Sequence, residues 1–201
     1  MILSNVKIHE AIDDGRLVIT PEPLPRFGPS DETPYDTTAV DLRLDAQFSV
    51  KKDIGKLVVD LSQGGSIIPT LRTAYDTKQI PDSGYRLKPG EFILAQTMER
   101  IHLPPPEDFT GNGIGRPVLA ARVEGKSSLA RLGLLIHFTA PTIHNGFGPA
   151  PIVLEIICMG HVPLMLYPGV PICQLIIEEV AGLPKVEEGG PFRTQTSPTG
   201  N

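Results

Sequence analysis

From residue 39 onward, short apolar or alternating runs follow one another with little helix-like chain between them, at 46–50, 56–60, 91–98, 117–124, 133–139, 151–158, 163–167 and 171–179. Runs of this length, broken by Pro89-Gly90 and Pro168-Gly169, read as strands joined by tight turns. Strands so closely spaced pair antiparallel and pack as a sandwich or barrel. The 20 glycines and 21 prolines point the same way, since both residues interrupt helices and supply turn geometry. One short helix is expected over Ser4 to Asp14, where Ile8, Ala11 and Ile12 share a face between a Ser4 N-cap and a Gly15 stop. Residues 21–36, dense in proline and polar residues, read as a surface loop, and 104–116 as a second. The tail 181–201 is rich in Gly, Pro, Ser and Thr, so it is expected to be flexible and able to close over a bound ligand.

A chain of 201 residues, 40% apolar and 20% charged, suits a single domain over 1–201. Its net charge of −5 argues against a sequence-independent grip on a nucleic acid polymer, which needs a basic face to displace counterions. A small anion needs only a few local cations and backbone N–H groups, so that class stays open. Met1 to Glu10 lacks the apolar stretch of a signal peptide, and no run approaches the ~18 apolar residues of a membrane span. A cytoplasmic location with no membrane partner is therefore expected. Cys158 and Cys173 sit in apolar runs and suit reduced, buried thiols, with one bridge left open.

Several familiar motifs fail on inspection. Gly125-Lys126-Ser127-Ser128 would need a glycine at 120 to be a phosphate loop, and Ala120 is there. Gly111-Asn112-Gly113 lacks the later glycine of a dinucleotide site. The zinc deaminases carry Pro-Cys-x-x-Cys, whereas Cys158 and Cys173 are far apart, so catalytic zinc is not expected. His137 and His144 have no second histidine at ligand spacing and read as packed or hydrogen-bonded residues. Glu124 to Gly133 places a cation and two hydroxyls before a helix-compatible stretch, with Ser127 or Ser128 able to cap it. Spacing alone favours a capped surface turn there and leaves an anion site open. Glu155 stands among strong strand formers, so the face at 153, 155 and 157 either lines a polar cleft or meets solvent. In a cleft its pKa would rise, which suits a proton shuttle near neutral pH.

These segments resemble the dCTP deaminase family, relatives of the trimeric dUTPases. Gly125-Lys126-Ser127-Ser128-Leu129-Ala130-Arg131-Leu132-Gly133-Leu134 is similar to the family's G-R-S-S-L-A-R-L-G-L. His137-Phe138-Thr139-Ala140 and Ile152-Val153-Leu154-Glu155 follow as its H-V-T-A and I-V-L-E segments. Upstream, Val40-Asp41-Leu42-Arg43-Leu44 and Leu87-Lys88-Pro89-Gly90-Glu91-Phe92 match in order, with an apparent insertion in 104–121. The resemblance implies an all-β fold with a few short helices, a distorted jelly-roll or β-barrel of the dUTPase-like type. It further implies a homotrimer with sites between subunits, and magnesium (Mg2+) bound through the triphosphate. Glu155 would be the general base and acid, and Ser127 would hold the water and the ring. Lys126, Ser128 and Arg131 would bind phosphates, and the backbone near Phe138 and Ala140 would read the base edge. Val153 and His144 would line the nucleoside pocket, and Gln195 of the tail would reach the triphosphate.

Three departures from the family pattern bear on function. His144 stands where the family carries an aspartate, which in dUTPases activates the water that attacks the α-phosphate. Lys126 replaces a forked arginine with a point charge. Pro191 and Phe192 replace a lysine and a tyrosine. The resulting expectation is hydrolytic deamination of dCTP to dUTP and ammonia. The alternatives are a diphosphatase or bifunctional enzyme, against which the absent aspartate counts, and a non-catalytic nucleotide-binding relative.

Overall fold

The computed structural model describes residues 1–29, 32–55, 58–60, 62, 67–184 and 194–200. Helix α1 (Asn5–Asp13) starts where Ser4 Oγ accepts from the Lys7 N–H and ends before Gly15, whose φ of 77° few other residues tolerate. Its Ile8 and Ala11 face the core. Its buried His9 lies edge-on between Phe27 and Tyr35, with ring centroids 4.6 and 4.4 Å away, and ties the proline-rich loop to the body.

The remaining elements are β1 (Val18–Thr20), β2 (Val40–Lys51), α2 (Ile68–Ala74), β3 (Tyr75–Gln79), β4 (Tyr85–Leu87), β5 (Phe92–His102), β6 (Leu119–Gly125), α3 (Ser127–Arg131), β7 (Leu134–Leu135), β8 (Thr142–Ile143), β9 (Ala150–Cys158), β10 (Leu164–Leu166) and β11 (Pro171–Glu179). Among the described residues, one nine-stranded antiparallel sheet runs β7-β9-β5-β2-β11-β6-β8, with β1 on β5 and β3 on β2, and β10 pairs β4 separately. The expected all-β class with a few short helices holds.

The sheet is curled because its long strands are bulged. Register slips between Leu44 and Phe48 where β2 meets β5, between Gln96 and Arg100 where β5 meets β9, and between Pro171 and Cys173 where β11 meets β2. Each extra residue bends its strand and sharpens the twist. At the β5 bulge the Thr97 hydroxyl replaces the missing ladder bond, donating to Glu99 O at 2.7 Å and accepting from the Ile152 N–H at 3.0 Å. Glu99 is fully buried there. Its two oxygens accept from Arg43 Nε at 2.6 Å and the Arg43 N–H at 2.8 Å, which supplies the partner that a buried carboxylate requires.

Strand β9 alternates cleanly. Ile152, Leu154, Ile156 and Cys158 join the hydrophobic core, while Val153, Glu155 and Ile157 are half-buried on the other face. The strands at 46–50, 91–98, 117–124, 151–158, 163–167 and 171–179 are all present, β2 being longer at both ends. Two expectations differ. Residues 58–60 form no strand, with Val58 84% exposed, and 56–57 lie outside the described residues. The strand expected at 133–139 stops at Leu135, and the chain bends from Ile136 onward, with the Phe138 ring packed against Phe92. No helix among the described residues is long and apolar enough to cross a membrane.

The link from α3 into β7 depends on Gly133. Its φ is +86°, and a Cβ there would lie 2.2 Å from Gly160 N. Its carbonyl accepts from the Met159 N–H at 2.7 Å, so the two backbones are locked together. Gly133→Ala should therefore lower stability by about 2–4 kcal/mol, combining a left-handed conformation with overpacking. Urea unfolding at constant m-value would measure this, and an unchanged midpoint would mean that the turn opens at no cost.

Candidate active site

The pairing of β9 between β5 and β7 decides what Glu155 meets. Glu155 lies opposite Leu94, and Val153 opposite Gln96, on the β5 side of β9, while β7 pairs only with Ile157 and Cys158 farther along the strand. It opens into a cavity of about 650 Å³. Leu94, Phe92, Val123, Phe147 and Ile152 make much of the wall apolar, and His137, Thr142, His144, Glu155 and Gln195 supply polar groups.

Desolvation by these apolar neighbours pushes the Glu155 carboxyl above the usual carboxylate range. The backbone N–H groups of Phe138 and of Glu155 itself, together with the His137 ring, pull it back toward the ionised form. The direction is the one expected of a proton shuttle in a cleft. This answers the alternative left open by spacing: the 153–155 face lines a cavity rather than bulk solvent.

Five of the residues singled out from sequence meet in this cavity: Ala140, His144, Val153, Glu155 and Gln195. Gln195 is buried, and its Nε2 donates to Pro151 O at 3.2 Å, so residues 194–200 lie against β9 of the same chain. Phe138 is half-exposed, its ring 5.4 Å from Phe92 on the cavity wall. His144 projects from a turn anchored by its buried neighbour Asn145, whose Nδ2 donates to Pro104 O at 3.0 Å and Leu119 O at 3.2 Å. Pro191 and Phe192 lie outside the described residues.

The phosphate-binding candidates stand elsewhere. Lys126, Ser127, Ser128 and Arg131 do not line the cavity that holds Glu155. Neither serine is the cap of α3. They form its exposed first turn, and Lys126 is the N-cap with no side-chain capping bond. Lys126 Nζ is instead bonded to Asp41 Oδ2, while Asp41 Oδ1 accepts from Gln174 Nε2 at 3.3 Å. Lys126, Asp41, Arg43 and Thr33 border a second cavity of about 430 Å³.

Other wall residues left no trace in sequence spacing. Ile67 and Leu71, beside and within α2, and Tyr75 at the start of β3 close the first cavity from a segment whose only recognised run was the one at 56–60. His137, which the sequence did single out as a packed or hydrogen-bonded histidine, is on the wall as well. Among the described residues no group of three or more His, Cys, Asp or Glu is placed to hold a metal ion, and Cys158 and Cys173 are free thiols.

Comparison with known proteins fits this arrangement. A family model described as dCTP deaminase-like matches residues 2–180. The dUMP-forming dCTP deaminase of Methanobrevibacter smithii is 34% identical over 193 residues, covering 96% of this chain and 87% of its own. The dCTP deaminase of Shewanella oneidensis is 36% identical over 185 residues, covering 90% and 86%. The crystal structure of 2'-deoxycytidine 5'-triphosphate deaminase from Agrobacterium tumefaciens matches with a TM-score of 0.59 at 18% identity, covering 89% of this chain. The match takes in 48% of that protein, so this chain spans about half its length, and the likeness is one of fold. With a family model spanning nearly the whole sheet and relatives above 30% identity along most of both chains, the protein belongs to the dCTP deaminase-like family.

Proposed function

We propose that this protein deaminates dCTP hydrolytically, releasing ammonia and leaving the uracil nucleotide. The observation that carries the reading is Glu155, a partly desolvated carboxylate presented by β9 into a cavity of nucleoside size. As a carboxylate it accepts a proton from water as the oxygen attacks C4 of the ring. It returns that proton to N3, then moves the hydroxyl proton of the tetrahedral adduct to the departing amine. The carboxylate ends as it began, so one residue serves as base and acid.

The rest of the site follows the family resemblance. The backbone near Phe138 and Ala140 reads the base edge, Val153 and His144 flank the nucleoside, and Ser127 holds the water and the ring. Lys126, Ser128 and Arg131 take the phosphates, with Mg2+ arriving on the triphosphate as part of the substrate. Gln195 would exchange Pro151 O for the triphosphate as the tail, within 181–201, closes. Since α3 lies apart from the Glu155 cavity in one chain, a homotrimer that sets α3 of one copy against the cavity of the next would complete the site. The whole chain, 1–201, acts on this reading as one cytoplasmic nucleotide-pool enzyme.

A second reading, deamination followed by diphosphatase action to give dUMP, is favoured by the dUMP-forming relatives. His144 favours dUTP as the end product, because an imidazole stands where the water-activating aspartate would be. Incubation with dCTP and Mg2+, with ammonia and pyrophosphate assayed separately, decides the matter. Ammonia without pyrophosphate is expected and requires no added zinc. Pyrophosphate at a comparable rate would establish the dUMP-forming reading, and absence of ammonia would refute deamination.

Glu155→Gln keeps shape but removes the shuttle, so turnover should fall about 10²-fold or more with nucleotide binding largely retained. The same variant tests the desolvation argument. Burial raises the folded-state pKa of Glu155, so its contribution to stability is present below the ordinary carboxylate pKa and is lost as pH rises through the folded value. The glutamine variant should therefore be the more stable protein at pH 8, with the gap closing toward pH 4. Equal unfolding midpoints at both pH values would remove desolvation as the cause. Light scattering should give about three times the 21.7 kDa chain mass, and a fully active monomer would contradict intersubunit sites.

A further inference from the structure

Helix α2 has seven residues, about half the length at which a helix persists unaided in water, so its order has to come from what its sides pack against. The body of the chain grips its last turn. The Lys52 N–H donates to Ala74 O at 2.8 Å, Lys52 Nζ donates to Arg72 O at 3.3 Å, and the Tyr75 ring meets Phe92 edge-on with centroids 6.4 Å apart. Packing of the helix itself is slight, since no residue of α2 is buried. Ile67, which caps it, is 45% exposed, and Leu71, one turn later, is half-buried. Neither joins the hydrophobic core, and both line the cavity that holds Glu155. Side chains one turn apart share a side of a helix, so the apolar side of α2 borders this cavity rather than the core.

We propose that α2 is an apolar clamp for the nucleoside part of the bound nucleotide: Ile67 and Leu71 close on the pyrimidine and its sugar, and that contact completes the packing that orders the helix. The inference rests on the reading of the Glu155 cavity as the nucleoside pocket. Charge decides which part of a nucleotide α2 meets. Among the described residues no lysine or arginine lines the cavity, whereas Glu155 does, so a triphosphate is disfavoured there and a neutral ring fits. An apolar side chain from a partner protein would also cover Ile67 and Leu71, but it would shut Glu155 away from its substrate. A ring held against Ile67 and Leu71 removes their exposed surface from water, and the gain appears as affinity for the nucleoside. Because that contact is made alike before and during the reaction, it acts on binding and not on the chemical step.

The test follows backbone amide exchange over 71–75 in the full-length protein alone, with dUTP, the product of the proposed reaction, and with inorganic triphosphate, which carries the charge without the ring. The nucleotide should slow exchange about tenfold or more, and inorganic triphosphate should leave it unchanged. Leu71→Gln keeps helix propensity while removing the apolar contact. It should weaken dUTP binding, measured by calorimetry, by about tenfold, and raise KM for dCTP in step with kcat little changed. The thermal midpoint of the nucleotide-free variant should stay within about 2 °C of the unaltered protein, because the side chain lies outside the core. Leu71→Met should restore the affinity. Exchange that dUTP does not slow would overturn the proposal, and so would protection that follows protein concentration instead of nucleotide, since a second copy would then be the cover. Unchanged dUTP affinity in Leu71→Gln would overturn it equally, and if that variant does not fold, exchange in the unaltered protein decides alone. Protection of α2 by dUTP without ammonia release from dCTP would refute the deaminase reading and leave the clamp standing.

Discussion

Pairing of β9 with β5, pinned at the Thr97 bulge, is the constraint from which the site follows. Because side chains alternate along a strand, the register that sends Leu154 and Ile156 into the core also sends Val153 and Glu155 to the cavity face. A slip of one residue would exchange the two sets and bury a carboxylate among aliphatic side chains. The bulge prevents that slip. Thr97 Oγ1 bridges Glu99 O and the Ile152 N–H, and Glu99 is itself fastened to Arg43 of β2. Three strands are thereby keyed to one another by side chains that play no part in the chemistry. The same curl that these bulges impose on the sheet makes it concave enough to hold a cavity.

On the proposed role of Glu155 as base and acid, two requirements conflict within that cavity. Exclusion of water strengthens each electrostatic interaction and protects the proton transfers, yet it disfavours the charged carboxylate that must begin them. The structure meets both by covering Glu155 with apolar side chains while directing fixed donors at it, namely two backbone N–H groups. Backbone donors are well suited to this, since they add no charge and cannot rotate away.

Much of this was legible in the sequence because β9 and most of β11 obey a simple alternation. Glu155 was conspicuous as a charge inside a strand pattern, and that signal survives in the structure as a half-buried cavity residue. The Ser4 cap and Gly15 stop of α1 were likewise local signals, read from a few neighbouring residues. What could not be read depended on distant chain. Residues 56–60 carry adjacent valines that suit a strand, but no strand forms over 58–60, and β3 occupies the β2 edge instead. The α2 segment has no buried residue of its own, so its part in the cavity wall leaves no amphipathic trace. The separation of Ser127 and Lys126 from Glu155 is a property of the folded chain. Adjacency of motifs in a family pattern says nothing about which face of the sheet each occupies.

That separation bears on how an acidic protein can hold a polyanion. Arg131 is exposed and has no ion-pair partner among the described residues, so its charge is available to an approaching phosphate, weakened by solvent and salt. Lys126 differs. It is three-quarters buried and already neutralised by Asp41, which Gln174 holds in place. An ammonium so shielded contributes little long-range attraction, and a phosphate must displace the carboxylate or share the ammonium with it. Sharing is the cheaper course, since an ammonium has three donors and Asp41 uses only one of them. Stripping Asp41 of its cation would leave a part-buried carboxylate unpaired, at a cost of several kcal/mol. An arginine at this position could serve Asp41 and a phosphate through separate edges of its fork, whereas Lys126 must direct both bonds from one nitrogen. On the proposed phosphate-binding role of α3, long-range capture of the nucleotide would fall to Arg131, while Lys126, held by Asp41 beforehand, would fix geometry at short range.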